Sequence, residues 1–266
     1  MSKKKKDEVV LEQSQEKVSE EVAIDGGAEK QSKKIVKENE SEKITNKLVL
    51  YKDIKLSKEV NAYLNVGNAS VGALGLTDHS SEHALVVAKV SGDILKELKY
   101  DKRDVELARI AGYMHDIGNC VNRHEHAYHG ALLARSILKD LGMDVEEIAT
   151  VINAIGIHDE KSGGAVNPIS AALILADKTD VRRDRVKNKN KASFDKHDRV
   201  NYAVTYSELN IDTTKHVITF NITLDENICS IMDYFEIFLC RMLMCKKASE
   251  ILGMRFKMIA NGNKVC

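Results

Sequence analysis

From Leu48 onward the apolar residues of this chain recur at helical spacing, and only after about residue 200 do they alternate. Leu56-Ser57-Lys58-Glu59 predicts a helix start with Ser57 as N-cap. From Ser80 or Ser81 to Leu98, apolar residues at 85, 86, 87, 90, 94, 95 and 98 form one wide helical stripe. Asp101 is placed to cap the next helix, which carries Val105, Leu107, Ile110, Ala111 and Met114 and stops near Gly118. Ala127 to Leu141 predicts a third strong helix ended by Gly142. Asp144 caps a fourth, containing Ile148, Val151, Ile152 and Ile155. Asn167-Pro168, with the chain's only proline at the first helical position, starts a fifth aimed at Asp177.

Across Val217 to Leu224, Ile218, Phe220, Ile222 and Leu224 alternate with Thr219, Asn221 and Thr223, which predicts a strand with one buried face. Val204 to Ile211 is its expected partner across the Asp212-Thr213-Thr214-Lys215 turn. A helix from about Ile228 to Leu252 and a strand from Phe256 to Ala260 complete a β-β-α-β unit. That helix is apolar nearly all round, so it should be buried in the subunit or at an oligomer interface, a homodimer included. Asp233, Glu236 and Arg241 exclude a membrane span. The expected fold class is therefore mainly α: a helical bundle over residues 48–200 with a small α+β unit over 201–266.

Charge sharpens this division. Residues 1–47 hold 11 acids and 11 bases and no aromatic residue, which predicts a disordered charged tail; Lys3 to Lys6 could dock a polyanion. Over all 266 residues, 40 Lys and Arg balance 40 Asp and Glu, which argues against a generally basic nucleic-acid binder. No apolar stretch follows the N-terminal Met-Ser-Lys-Lys-Lys-Lys, and the five cysteines form no C-x-x-C pair. A reduced, cytoplasmic protein with no membrane association is expected. Seven of the nine histidines fall between His79 and His158.

Those histidines carry the chemistry. His83, His115-Asp116, His126, His158 and Asp177 each lie near an end of one of five successive helices. Helix bundles build dinuclear sites in this way, with side chains of facing helices turned inward. His115 and Asp116 diverge on a helix, but near its end a carboxylate with two oxygens can span toward a second ion. His124 and His129 compete with His126, and His129, one turn on, is a candidate substrate contact. His79 is expected in a loop.

The pattern resembles the HD-domain superfamily of metal-dependent phosphohydrolases over roughly residues 56–186. His83-Ala84-Leu85-Val86-Val87-Ala88 is similar to the family's first motif, and His115-Asp116-Ile117-Gly118 to its H-D-I-G signature. His126 four residues before Gly130, His158 closing a helix and Ala176-Asp177-Lys178 complete the H…HD…H…H…D order. The resemblance implies an HD-domain helical bundle with His83, His115, Asp116, His126, His158 and Asp177 as ligands. It favours His126 over its neighbours by spacing. His126 and His158, which the family's mononuclear form lacks, imply two metals.

Nitrogen and carboxylate donors suit Fe, Mn, Co, Ni or Zn without choosing among them. Two ions bridged by Asp116 would supply hydroxide to attack a phosphate ester or anhydride, with His115 and Asp116 as the central pair. Lys178, Arg182, Arg183 and Arg185 follow the last ligand directly and are candidate phosphate contacts. Residues 100–160 hold 11 acids against 6 bases, and residues 178–199 hold 9 bases against 4 acids. An acidic metal-binding half facing a basic strip suits a small phosphorylated substrate, a nucleotide or dinucleotide, as in the similar diadenosine-tetraphosphate hydrolases. Three alternatives stand beside it. A cyclic-dinucleotide phosphodiesterase of the HD-GYP type would need a Gly-Tyr-Pro motif, absent from 158–168. A di-iron oxygenase could use the same ligands, and so could a non-catalytic sensor module.

Overall fold

Short polar side chains decide where the helices begin. In the computed structural model, which describes residues 47–74, 81–161, 163–188 and 190–266, Ser57 accepts a hydrogen bond from the Val60 amide and opens the second helix. Asp101 and Asp144 do the same for theirs, and Asn167 and Ser170 form a reciprocal capping box ahead of Pro168. The charged segment 1–46, including Lys3 to Lys6, and His79 and Ser80 lie outside the described residues.

The described helices are α1 (Tyr51–Leu56), α2 (Lys58–Ala73), α3 (Ser81–Glu97), α4 (Lys102–Met114), α5 (His126–Asp140), α6 (Val145–Gly156), α7 (Pro168–Lys178), α8 (Lys196–Ala203) and α9 (Ile231–Ile251). Four strands follow α8: β1 (Val204–Asp212), β2 (Val217–Leu224), β3 (Arg255–Ala260) and β4 (Asn263–Lys264). The protein is mainly helical, as expected. Among the described residues no helix is long and apolar enough to cross a membrane.

Helix α7 is the centre of the bundle. Ala171 to Leu175 are all fully buried, and α3, α4, α6 and α9 pack around them. Each such Leu or Ile contributes about 1.5–3 kcal/mol by leaving water. The end of α7 is thereby held rigidly among its neighbours, and that end carries Asp177.

The β1–β2 hairpin has the predicted alternation, with Ile218, Phe220, Ile222 and Leu224 buried. Strand β3 pairs parallel to β2, with α9 as the crossover, and packs beneath α9. Two details differ from the sequence expectation. Helix α9 begins at Ile231 rather than near Ile228, because Ser230 and Asp233 cap each other there. A two-residue strand, β4, turns back on β3 through Asn261 and Gly262, both at positive φ. Helix α9 is also not buried all round: Tyr234, Phe238, Met242 and Cys245 face the core, while Met232, Leu239 and Leu243 stay exposed.

Two close backbone approaches shape the bundle. A Cβ on Gly112 would meet the Ala88 backbone at 2.8 Å, so α3 and α4 cross nearly in contact. Between α4 and α5 the chain makes a 3-10 turn, Ile117–Cys120. A Cβ on Gly118 of that turn would lie 2.0 Å from the His126 carbonyl and 2.4 Å from the Gly130 amide. Both atoms are backbone and cannot rotate away. Gly118→Ala should therefore cost about 3 kcal/mol, a melting temperature roughly 10 °C lower. Gly72→Ala, with nothing within 4 Å, should be neutral or slightly stabilising. Equal melting temperatures for the two variants in a thermal scan would contradict this packing.

Candidate metal centre

Every expected ligand sits at a helix end, and the structure brings the six together. His83 lies in the first turn of α3, His115 follows α4, Asp116 precedes the 3-10 turn, and His126 opens α5. His158 follows α6 and Asp177 is the penultimate residue of α7. The histidines and Asp116 are all at most 4% exposed. His83, His115 and Asp177 form one potential ligand group, and His115, Asp116 and His158 another.

The orientation of the rings is set from outside. His115 Nδ1 lies 2.8 Å from the Gly112 carbonyl, His126 Nδ1 3.2 Å from the Arg123 carbonyl, and His158 Nδ1 2.6 Å from the Ile155 carbonyl. His83 Nδ1 lies 2.6 Å from Asp180 Oδ2. Carbonyls and carboxylates only accept, so each ring donates from Nδ1, and each Nε2 presents a lone pair inward.

These Nε2 atoms meet the carboxylates. Asp116 Oδ2 is 3.3 Å from His115 Nε2 and 3.9 Å from His83 Nε2, while its Oδ1 is 3.4 Å from His126 Nε2. Asp177 Oδ1 faces His83 Nε2 at 3.3 Å and His115 Nε2 at 3.7 Å. His126 Nε2 and His158 Nε2 approach to 3.2 Å. The His115 Nε2 is buried with no hydrogen-bond partner among the described residues. Two facing lone pairs and an orphaned buried nitrogen are costly in protein alone. A divalent cation resolves both, so the donor set fits a metal.

Protonation agrees with that role. Burial pulls His158 well below the ordinary histidine range, and His115, Lys178 and His126 add to the effect. Burial lowers His126 too, against the pull of Asp116. At His115 burial also acts downward, but Asp116 and Asp177 outweigh it and hold the ring above its ordinary value. Asp177 resists its burial through Lys178, His83 and His115, and stays ionised well below the usual carboxylate range. Asp177 is thus charged and His126 and His158 are neutral near pH 7, as ligation requires.

The remaining candidates fall elsewhere. The Lys178 ammonium is buried and held by protein carboxylates, 2.8 Å from Asp177 Oδ2 and 2.9 Å from Glu160 Oε2. Arg182 is turned onto Asp180 and Asp184, and Arg185 donates to the Asp180 carbonyl. Arg183 donates to the Tyr202 carbonyl and lies over the Tyr202 ring. Lys178, Arg182 and Arg185 fold back onto Asp177 and Asp180 at the end of α7, and Arg183 onto Tyr202, so all four cations hold protein groups. His124 is exposed, and His129 keeps Nδ1 buried with no hydrogen-bond partner among the described residues.

Several residues with a part in the site escaped the sequence reading. Asp180 anchors His83 and is itself gripped by Arg182; its only signal was a second carboxylate three residues after Asp177. Asn119 donates to Asp116 Oδ1 at 3.0 Å, and Arg123, partly exposed, lies 3.9 Å from the same oxygen. No periodicity marks either one.

Residues 80–202 match the model of the HD domain. An uncharacterized protein of Methanocaldococcus jannaschii is 32% identical over 160 residues, which cover 52% of this chain and 61% of that protein. Ribonuclease Y of Latilactobacillus sakei subsp. sakei is 40% identical over 76 residues, 29% of this chain and 13% of that enzyme. The chain thus spans less than two thirds of the length of these curated relatives. The crystal structure of a predicted HD superfamily hydrolase from an uncultured Thermotogales bacterium is 25% identical, with a TM-score of 0.36, covering 46% of this chain and 67% of that one. Residues 80–202 are thus similar to an HD domain, and the histidines and aspartates within them form groups that could hold a divalent metal.

Outer-shell support of a ligating histidine is worth 10- to 100-fold in metal affinity, roughly. Asp180→Asn keeps an acceptor for His83 Nδ1 but removes the charge. It should weaken Co2+ binding about tenfold by calorimetry. An unchanged dissociation constant would separate Asp180 from the metal centre.

Proposed function

We propose that this protein is a metal-dependent hydrolase that cleaves a phosphate ester or anhydride of a small compound, with a nucleotide or dinucleotide as the leading substrate class. The observation that carries the reading is the division of Asp116: one oxygen faces His83 and His115, the other faces His126. A carboxylate shared in this way is what a two-ion centre needs.

His83, His115 and Asp177 would hold one ion, His126 and His158 the other, and Asp116 would bridge them. Two such ions would supply Lewis acidity, lowering the pKa of a water in the site and offsetting charge on a phosphoryl group. The chain's own residues do the rest. The carbonyls of Gly112, Arg123 and Ile155 and the Asp180 carboxylate keep the rings in the tautomer that ligates. Asn119 steadies Asp116 on the oxygen that faces His126. Arg123, partly exposed beside that oxygen, is the side chain we assign to an incoming phosphate oxygen. A local likeness to Ribonuclease Y supports keeping phosphodiesters, short RNA included, among the substrates to test.

The test is a panel of nucleoside polyphosphates, dinucleoside polyphosphates, cyclic dinucleotides and a short oligoribonucleotide, with Mn, Fe, Co or Ni added in turn. Metal-dependent release of phosphate or nucleotide from at least one of them is expected. Asp116→Ala should remove that activity together with the bound metal. No turnover anywhere on the panel, or full activity in Asp116→Ala, overturns the reading.

A further inference from the structure

The end of α7 is tied to the C-terminal unit by a run of alternating charges. Asp177 Oδ2 lies 2.8 Å from Lys178 Nζ, and Lys178 Nζ 2.9 Å from Glu160 Oε2. Glu160 Oε1 lies 3.0 Å from Nε of Arg241, halfway along α9. The Arg241 guanidinium rests over the fully buried Phe238 ring, 4.6 Å from its centroid, which fixes its direction. Lys178 is 5% exposed, while Glu160 and Arg241 are each about a quarter exposed, so the run leads from a buried ammonium out to a part-buried pair.

Each link constrains the next. Adjacent residues on a helix do not normally face each other, so Lys178 reaches Asp177 only by bending back. Glu160 stands on the far side of that ammonium and holds it there. Glu160 in turn has two oxygens, one for Lys178 and one for Arg241. With Oδ2 of Asp177 taken by Lys178, Oδ1 is the oxygen left for His83 and His115. Glu160 lies two residues after His158, so the same run also fixes the loop that presents a second ligand.

We propose that Arg241 is a positioning residue for the metal centre: through Glu160 and Lys178 it aims the Asp177 carboxylate, and this makes α9 a working part of the site rather than an appendage. The inference rests on the metal-binding reading above. Removing Glu160 leaves the buried Lys178 ammonium with one carboxylate instead of two, a larger effect than loss of a fully exposed surface pair.

The test is Co2+ binding to the full chain, followed by calorimetry and by the visible absorption of the bound ion. Arg241→Met keeps an apolar side chain of similar length beside Phe238 and removes the charge. It should raise the dissociation constant about tenfold and change the absorption bands, while Arg241→Lys recovers most of the loss. Glu160→Gln should have a similar effect, and Arg241→Met in the Glu160→Gln background should add little. Where Arg241→Met fails to fold, Glu160→Gln alone decides. Wild-type affinity and absorption in Arg241→Met or Glu160→Gln, or fully additive losses in the double variant, would overturn the proposal. Failure of the wild-type chain to bind Co2+ would instead overturn the metal-binding reading beneath it.

Discussion

Four imidazoles pinned from behind are the constraint on which the rest of this structure depends. Three donate Nδ1 to the carbonyl of a residue three positions earlier, and His83 donates to Asp180. The pinning costs the chain little, since carbonyls near helix ends want donors in any case. Its consequence is severe. Four imidazoles and two carboxylates are forced into one buried volume, and His115 Nε2 finds no hydrogen-bond partner there among the described residues. Ligand positions at helix ends follow from the same economy, because there a ring can reach both a free carbonyl behind it and the cluster in front.

The bundle exists to hold those ends together. Gly118 lets the turn after His115-Asp116 touch the backbone at His126, so two helices deliver three donors without an intervening side chain. The apolar packing around α7 carries Asp177 to the same place. From the other side α9 closes the end of α7 through Glu160 and Lys178. Hydrophobic burial thus sets the distances, and buried ion pairs set the angles.

Much of this was legible in the sequence. Caps at Ser57, Asp101, Asp144 and Asn167 stood out because a short polar residue precedes an apolar period. The hairpin stood out through strict alternation in β2. The six donors were legible as an ordered pattern of residue types. What was not legible depends on contacts distant in sequence. Lys178 read as a phosphate partner, since a cation after a ligand looks free until Glu160 is seen beside it. Asp180 and Arg241 carry no periodic signal, and their partners lie 97 and 81 residues away. The exposed apolar face of α9 was hidden by composition, for an apolar residue reads alike on either face.

The central claim is that Asp116 divides its two oxygens between two cations. Anomalous scattering from crystals of the full chain grown with Mn2+ tests it most directly. The account predicts two peaks on either side of Asp116, one against His83, His115 and Asp177 and the other against His126 and His158. A single peak, or none, would contradict it.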